Sequence, residues 1–387
     1  MFYEFEDPTS FSFLELIEES NHLSGGIGGL VHVVAAEEDQ IQPVVVGLTV
    51  ATTAPWIVAE INVKHETNAL YLKAPRLVKT EEPSTGMPCM DVYVTIWVRP
   101  DANLEIFEIS SENLHLRVDS SVFKLIDDVE DETTHVSNST EFTLVRGDVS
   151  IAYWSSRETI IDTTAGSISG QYALRDLLSV RSRSGSIDIS VDPKPADKTA
   201  PAPADFTAIS TSGSVTVHFP TSGSDSIIPE REYRSRVETV SGGVSGSFIL
   251  GLISTFRTTS GSITAMILPY AADRYVSTLR TETRVGGTRI EVLSPFKDAG
   301  HAITRMKSLH TTTAASLTLK YPQEWEGIID GETTSGGLTL RGKDVERLRH
   351  SRGPAGSHVV AKKGSGGSRL DFSTTAGSAD VVIGDLY

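Results

Sequence analysis

One short phrase recurs from residue 163 onward and leaves the chain few architectures. It consists of two or three Ser/Thr, a small residue, Gly, Ser or Gly, and a β-branched or aliphatic residue that opens an alternating run. Thr163-Thr164-Ala165-Gly166-Ser167-Ile168, Ser184-Gly185-Ser186-Ile187, Ser212-Gly213-Ser214-Val215 and Thr259-Ser260-Gly261-Ser262-Ile263 are the clearest copies. Looser ones stand at Ser241-Gly242-Gly243-Val244, Val285-Gly286-Gly287, Ala314-Ala315-Ser316-Leu317, Ser335-Gly336-Gly337-Leu338, Gly366-Gly367-Ser368 and Ala376-Gly377-Ser378. Most successive anchors lie 19 to 31 residues apart, a period that means stacked coils or sheet arrays. Gly permits a tight corner, and the small neighbours let coils approach closely. After the corner Ile187 and Ile189, or Val215 and Val217, point one way while polar residues point the other, as in a half-buried strand.

Helical periodicity is nearly absent. Phe11 to Glu19 and Tyr172 to Leu178 are the exceptions, each read as a short helix or a loop packed over the sheet. The residues that lengthen the period have loop composition, above all the Pro/Ala-rich Asp192 to Asp205. Pro220 to Glu232, Pro269 to Arg274, Pro295 to Ile303 and Asp344 to Gly356 are read as further loops. Before residue 150 the pattern is still β but more hydrophobic, with strands expected at Asp91 to Val98, Leu104 to Ile109, Leu114 to Val118 and Glu141 to Val145. An early copy of the phrase stands at Ser24-Gly25-Gly26-Ile27. The expected fold is all-β, an elongated β-solenoid or stacked-strand repeat with protruding Pro/Ala-rich loops. It divides into an irregular or capping segment 1–23, acidic β-rich coils 24–160 and Ser/Thr/Gly-rich solenoid repeats 161–387, a split into two domains near 150–160 being the alternative.

Charge divides the chain too. Residues 1–150 hold 8 Lys or Arg against 26 Asp or Glu, net −18, within a whole-chain charge of −16. Such a field argues against nucleic acid or anionic lipid as a partner of that region. Cys89 is the only cysteine, which excludes a disulfide framework and a Cys-based zinc site. The first twenty residues contain no basic residue and fail as a signal peptide, and the longest run free of charge, Gln40 to Ala59, is broken by Gln, Pro and Thr. No membrane span is expected, and the chain as written is expected in the cytosol, with the cell surface as the alternative. A lone sequon, Asn138-Ser139-Thr140, matters only for a secreted form.

The Ser-Gly-Ser-Ile copies, Ile96-Trp-Val-Arg-Pro-Asp-Ala-Asn-Leu104, and Tyr321-Pro-Gln-Glu-Trp-Glu-Gly327 followed by Gly331-Glu-Thr-Thr-Ser-Gly-Gly337 resemble the putative-adhesin family of unknown function, in its fungal members particularly. The resemblance covers roughly residues 90–387 and implies a β-solenoid of strand, Ser/Thr-Ser-Gly-Ser-Ile, strand units. It carries over no catalytic or binding residue, and the family name transfers little function by itself.

No motif supports chemistry. Gly337-Leu-Thr-Leu-Arg-Gly342-Lys343-Asp344 has phosphate-loop spacing but ends in Asp where a hydroxyl should meet magnesium, and its middle alternates like a strand. Gly26-Ile-Gly28-Gly-Leu-Val31 lacks the third Gly of a dinucleotide fingerprint. The His residues form no metal-ligand grouping, with His32, His115 and His218 inside alternating strands. No G-x-S-x-G is present. Glycoside hydrolysis needs paired carboxylates, and Asp188, Asp192, Glu291 and Glu332 supply candidates without singling out a pair. Arg341 to Arg369 carries eight basic residues against Asp344 and Glu346, read as a solvated loop or as a contact for an acidic partner. The runs Thr311-Thr312-Thr313 and Ser373-Thr374-Thr375 suggest outward hydroxyl ladders. The reading is therefore a non-enzymatic structural or interaction protein, adhesin-like, with no catalytic, cofactor-binding or metal residues and no cofactor. Its partner would be an unknown protein or carbohydrate, held by loops along one edge. Exposed end coils, unless capped, would let copies pair. The alternative is a solenoid carbohydrate-active enzyme with aromatic platforms from Trp154, Trp325 or Tyr321.

Overall fold

A computed structural model describes residues 1–6, 9–17, 26–53, 58, 61–74, 89–122, 136–221, 228–353 and 356–385. Residues 18–25 and 222–227 fall outside it, and with them the start of the copy at Ser24-Gly25 and the middle of the loop Pro220 to Glu232. The chain forms two compact units, Met1–Gly185 and Ser186–Tyr387. No α-helix occurs among the described residues.

Unit 1 starts with β1 (Phe2–Phe5), β2 (Ser10–Ile17), β3 (Ile27–Ala35), β4 (Val44–Thr52), β5 (Asn62–His65), β6 (Ala69–Ala74) and β7 (Met90–Val98). It continues with β8 (Ile106–Ser111), β9 (His115–Val118), β10 (Val136–Leu144), β11 (Val149–Trp154), β12 (Ser156–Thr163), β13 (Ile168–Leu174) and β14 (Leu177–Ser182). Unit 2 runs β15 (Ile187–Pro193), β16 (Ala204–Ser210), β17 (Val215–His218), β18 (Tyr233–Thr239), β19 (Val244–Leu250), β20 (Ile253–Ser260), β21 (Ile263–Pro269) and β22 (Ser277–Val285). Then follow β23 (Thr288–Val292), β24 (Met306–Ala314), β25 (Leu317–Tyr321), β26 (Gly327–Ser335), β27 (Leu338–Arg341), β28 (Val345–Gly353), β29 (Gly356–Lys363), β30 (Ser368–Ala376) and β31 (Ala379–Ile383).

Each unit buries its core between two stacked, mainly parallel sheets. In unit 1 these run β1-β4-β7-β3-β9-β11-β13 and β14-β12-β10-β8-β2-β6-β5; in unit 2, β15-β17-β19-β21-β23-β25-β31-β27 and β28-β29-β26-β30-β24-β22-β20-β18-β16. The solenoid-like all-β expectation holds. The residue that follows each corner phrase forms one buried row across unit 2, Ile187, Val215, Val244, Ile263, Thr288, Leu317 and Ala379 in parallel register. Inside, Phe206, Phe219, Phe248 and Phe256 pack in two edge-to-face pairs joined by a tilted one, at centroid distances of 4.6–6.1 Å.

The corner explains the phrase. A methyl added at Gly242, Gly261 or Gly286 would come within 2.1 Å of the carbonyl oxygen of Gly213, Gly242 or Gly261 in the adjacent coil, so no side chain fits. Three residues before every anchor but Gly367, which has Gly364 there, stands a hydroxyl, and Thr163, Ser182, Ser210, Thr239, Thr258, Thr283, Thr312, Thr333 and Thr374 are all buried. Thr239 shows why. Its Oγ1 accepts from Gly242 N at 3.0 Å and donates to Gly213 O of the neighbouring coil at 3.2 Å, and Thr258 reaches Gly242 O at 2.9 Å. Most of these hydroxyls satisfy corner groups that a close-packed interior would otherwise leave unpaired; Thr283 instead meets Thr288 Oγ1 at 2.9 Å, and Thr312 Oγ1 has no partner among the described residues. The middle residues of Thr311 to Thr313 and Ser373 to Thr375 thus face inward, and only their flanking hydroxyls are open.

Several expectations need correction. The segment 1–23 is not merely irregular, because β1 and β2 pair within the two sheets. Phe11 to Ile17 is strand because Phe11, Phe13 and Glu15 alternate inward, and the buried Glu15 carboxylate accepts from Ser111 Oγ and the backbone N of Glu112 and Asn113 at 2.7–3.1 Å. Tyr172 to Leu178 belongs to β13 and β14, with Gly170 at φ 135 bending β13 where an added methyl would meet Ile151 O. Asp344 to Gly356 is not a loop but holds β28, antiparallel to β29. Coils also stack out of sequence. In unit 2, β30 lies between β24 and β26, and β31 between β25 and β27. In unit 1, β2 lies between β6 and β8, and β3 between β7 and β9. Antiparallel strands end these series at β1, β5 and β28; β28 also carries a register shift, and Arg347 donates to Leu340 O of β27, features that discourage pairing between copies at that end.

Candidate ligand-binding face

The long connections of unit 2 all run from a strand of the β15-containing sheet to one of the β16-containing sheet, so the loops do share one edge. They are tied down. Arg231 donates to Lys194 O at 2.9 Å and to Ala202 O at 2.6 Å, strapping the base of the Pro/Ala loop, whose exposed residues are Pro195 and Asp197 to Pro201. Tyr233, Tyr270 and Phe296 pack under the neighbouring loops at centroid distances near 6 Å.

The residues offered for enzyme chemistry are dispersed or spent. Glu291 pairs with Lys320 at 2.6 Å, Asp192 with Lys194 at 3.3 Å and Asp188 lies 4.0 Å from His218. Trp154, Trp325 and Tyr321 are all buried in the cores and present no platform. Tyr321 instead meets His310 Nε2 at 2.8 Å, while His310 Nδ1 meets Thr281 Oγ1 at 2.8 Å. Full burial pushes the His310 pKa down to about 3, so the ring is neutral. His32, His115 and His218 sit half-exposed 3.5–4.0 Å from Asp119, Asp148 and Asp188. The middle of Gly337 to Asp344 is strand β27, and Gly28 and Gly29 lie within β3, where a methyl on Gly29 would strike Val92 O. No group of metal-ligating side chains is found among the described residues.

The basic segment is partly committed as well. Arg341 pairs with Asp380, Arg369 with Asp371, Arg347 donates to Leu340 O, and Lys363 is buried with its ammonium on Gln323 O. Burial lowers the Lys363 pKa against the raising influence of nearby Asp344 and Glu326. Lys343, Arg349, Arg352 and Lys362 remain.

The surface that sequence reasoning missed is the outward face of β1, β4, β7 and β3 in unit 1. Strand alternation turns Met90, Val92, Val94, Ile96 and Val98 inward, which forces Tyr93, Thr95 and Trp97 outward. Register then builds rows: Glu4, Val45, Trp97 and Val34; Phe2, Gly47, Thr95 and His32; Thr49, Tyr93 and Leu30. Phe2 is 74% and Tyr93 48% exposed, and the Phe2 and Trp97 rings lie 6.0 Å apart at 35°. Gly47 makes the seat. A methyl there would lie 2.7 Å from Trp97 Cζ3 and 3.2 Å from Phe2 Cε1, so the indole lies across the neighbouring strand instead of standing away from it. The signal was present in Asp91-Val-Tyr-Val-Thr-Ile-Trp-Val98, but which alternate set faces out depends on the pairing of β7 with β3 and β4.

No protein-family model matches the chain, and no curated protein matches it. Among solved structures, a putative cell adhesion protein from Clostridium sporogenes matches over 99% of this chain and 98% of its own, at 7% identity and a TM-score of 0.16. At that score the likeness carries no argument. No helix among the described residues is long and apolar enough to cross a membrane.

Proposed function

We propose that the protein is a non-catalytic, adhesin-like interaction module whose recognition surface is the outward aromatic face of unit 1. One observation carries the reading: Phe2, 74% exposed, and Tyr93, 48% exposed, stand with the partly exposed Trp97 on one sheet face, whereas Trp154, Trp325, Tyr172, Tyr233, Tyr270 and Tyr321 are fully buried in the cores. Clustered exposed aromatics on a regular surface mark binding sites more often than they mark folding needs. The reading agrees with the resemblance to the adhesin-like repeat family. The carbohydrate-active enzyme gains no support, since Asp188, Asp192 and Glu291 each have a cationic or imidazole neighbour and the expected aromatic platforms lie in the core. The test is an array of glycans and extracellular-matrix proteins probed with the full chain and with a Tyr93→Ala/Trp97→Ala variant. The reading expects binding that the variant loses without any release of reducing sugar; turnover of a polysaccharide, or binding that the variant keeps, overturns it.

A further inference from the structure

We infer that the ligand of this face is a polysaccharide of amino sugars carrying protonated amines. The inference rests on the interaction-module reading and adds the chemical class. Two observations select it. The first is the geometry of the platform. Tyr93 and Trp97 point the same way from one strand, about 13 Å apart at the ordinary strand rise, with Thr95 between them and Thr49 beside Tyr93. Trp97 covers Gly47 with its ring and stays partly exposed, with the Phe2 ring 6.0 Å from it. A flat row of ring faces interrupted by hydroxyls suits an extended chain of pyranoses, which has an apolar face on each ring and hydroxyls at the edges.

The second observation is charge. The loop after β3 carries Glu37, Glu38 and Asp39, all exposed and with no ion pair among the described residues, and it is held beside Trp97 by the bonds of Ala36 N to Val98 O at 2.8 Å and of Gln40 Nε2 to Trp97 O at 3.5 Å. Asp91 faces out from the same strand as Tyr93 and Trp97, and Glu4 stands in the Trp97 row. Among the described residues the cationic groups near this face are Arg117 and the imidazoles His32 and His115 toward β9, the Met1 ammonium held on Leu48 O at 3.0 Å, and Arg99, which is paired with Asp101 and donates to Ile41 O. With residues 1–150 at net −18, a glycan bearing carboxylates or sulfates is repelled, and a protonated amine gains both from the acidic rim and from an aromatic face beneath it.

The experiment measures retention of the full-length chain on beads of chitosan, of a neutral β-glucan and of pectate, at a pH below the chitosan amine pKa and across a salt series. Chitosan should retain the chain best and pectate least, with retention falling as salt rises. Trp97→Ala should weaken chitosan retention by about tenfold or more, the scale of an aromatic anchor. The exposed-loop variant Glu37→Gln/Glu38→Gln/Asp39→Asn leaves every packed side chain in place and should weaken it severalfold with a flatter salt dependence. Retention on the neutral glucan equal to that on chitosan, and lost with Trp97→Ala, overturns the amino-sugar inference while keeping the face as the site. Indifference of retention to both variants overturns the inference and the site together. A dimer that dissociates on Trp97→Ala, with no bead retention, shows that a second copy of the chain is the occupant and overturns it too.

Discussion

Unit 1 and unit 2 solve the same problem with different residues. Unit 2 stacks its coils through corners without side chains, Gly against the carbonyl of the preceding Gly, and uses the Ser/Thr three positions earlier to satisfy the backbone groups that this close approach buries. Its outer faces carry ion pairs such as Arg257 with Glu282 at 3.3 Å and Arg341 with Asp380 at 2.8 Å. The early part of unit 1 has few such corners. It packs larger aromatics, with Phe11, Phe107, Phe142 and Trp154 at centroid distances of 5.1–6.2 Å, pins β2 through the buried carboxylate of Glu15, and leaves an apolar face outside. Where the repeat is strict, side chains serve the stack; where it lapses, they are free to face a partner.

The sharpest way to break this contrast is to give a unit 2 corner a side chain. Gly261→Ala places a methyl 2.0 Å from Gly242 O, a backbone atom that cannot yield locally, and should cost about 3 kcal/mol by denaturant unfolding. Gly243→Ala, directly after the corner glycine Gly242, first meets Ser262 O at 3.4 Å and should cost less than about 1 kcal/mol. Equal costs would show that the corner contact does not govern the stack. Next in size is the hydroxyl. Thr239→Val keeps the shape but strands Gly242 N and Gly213 O, and about 2 kcal/mol of stability should go with it.

Acidification sharpens the comparison through His310, which belongs to unit 2. Its folded pKa of about 3 lies below the unfolded value of 6.5, so the unfolded chain takes the proton first. The stability it secures is complete above the unfolded value and is lost as pH falls toward the folded one; by pH ~5.5 about 1.4 kcal/mol should be gone. His310→Gln should flatten that part of the profile of unfolding against pH. Smallest of all should be Trp97→Ala, under about 1 kcal/mol, because the ring covers a sheet face and fills no core. A loss of several kcal/mol would make Trp97 structural and remove the main support for the face.

Much of the scaffold was legible from period alone. Ser184-Gly185-Ser186-Ile187 and its relatives announce a corner followed by an inward β-branched residue, and the row from Ile187 to Ala379 bears that out. What period cannot show is which coil lies next to which. The insertion of β30 and β31 one place inside the stack depends on long-range pairing, and nothing local in Gly366-Gly367-Ser368 distinguishes it from a coil added in order. The hydroxyl ladder was read as surface because Ser and Thr are usually solvated; their burial follows only once neighbouring corners touch. The face of unit 1 escaped for a similar reason. Alternation in Asp91 to Val98 marks two sides, but the choice between Tyr93/Trp97 and Val92/Val94/Ile96 as the outer set is made by the opposing sheet.

Hydroxyl-radical footprinting of the intact chain, free and saturated with chitosan oligomers, tests the functional contrast most directly. Protection confined to Phe2, Tyr93 and Trp97, with the exposed loop residues around Asp197 and Asp298 unchanged, is the predicted result. Protection of those unit 2 loops with Tyr93 and Trp97 as reactive as before would contradict it.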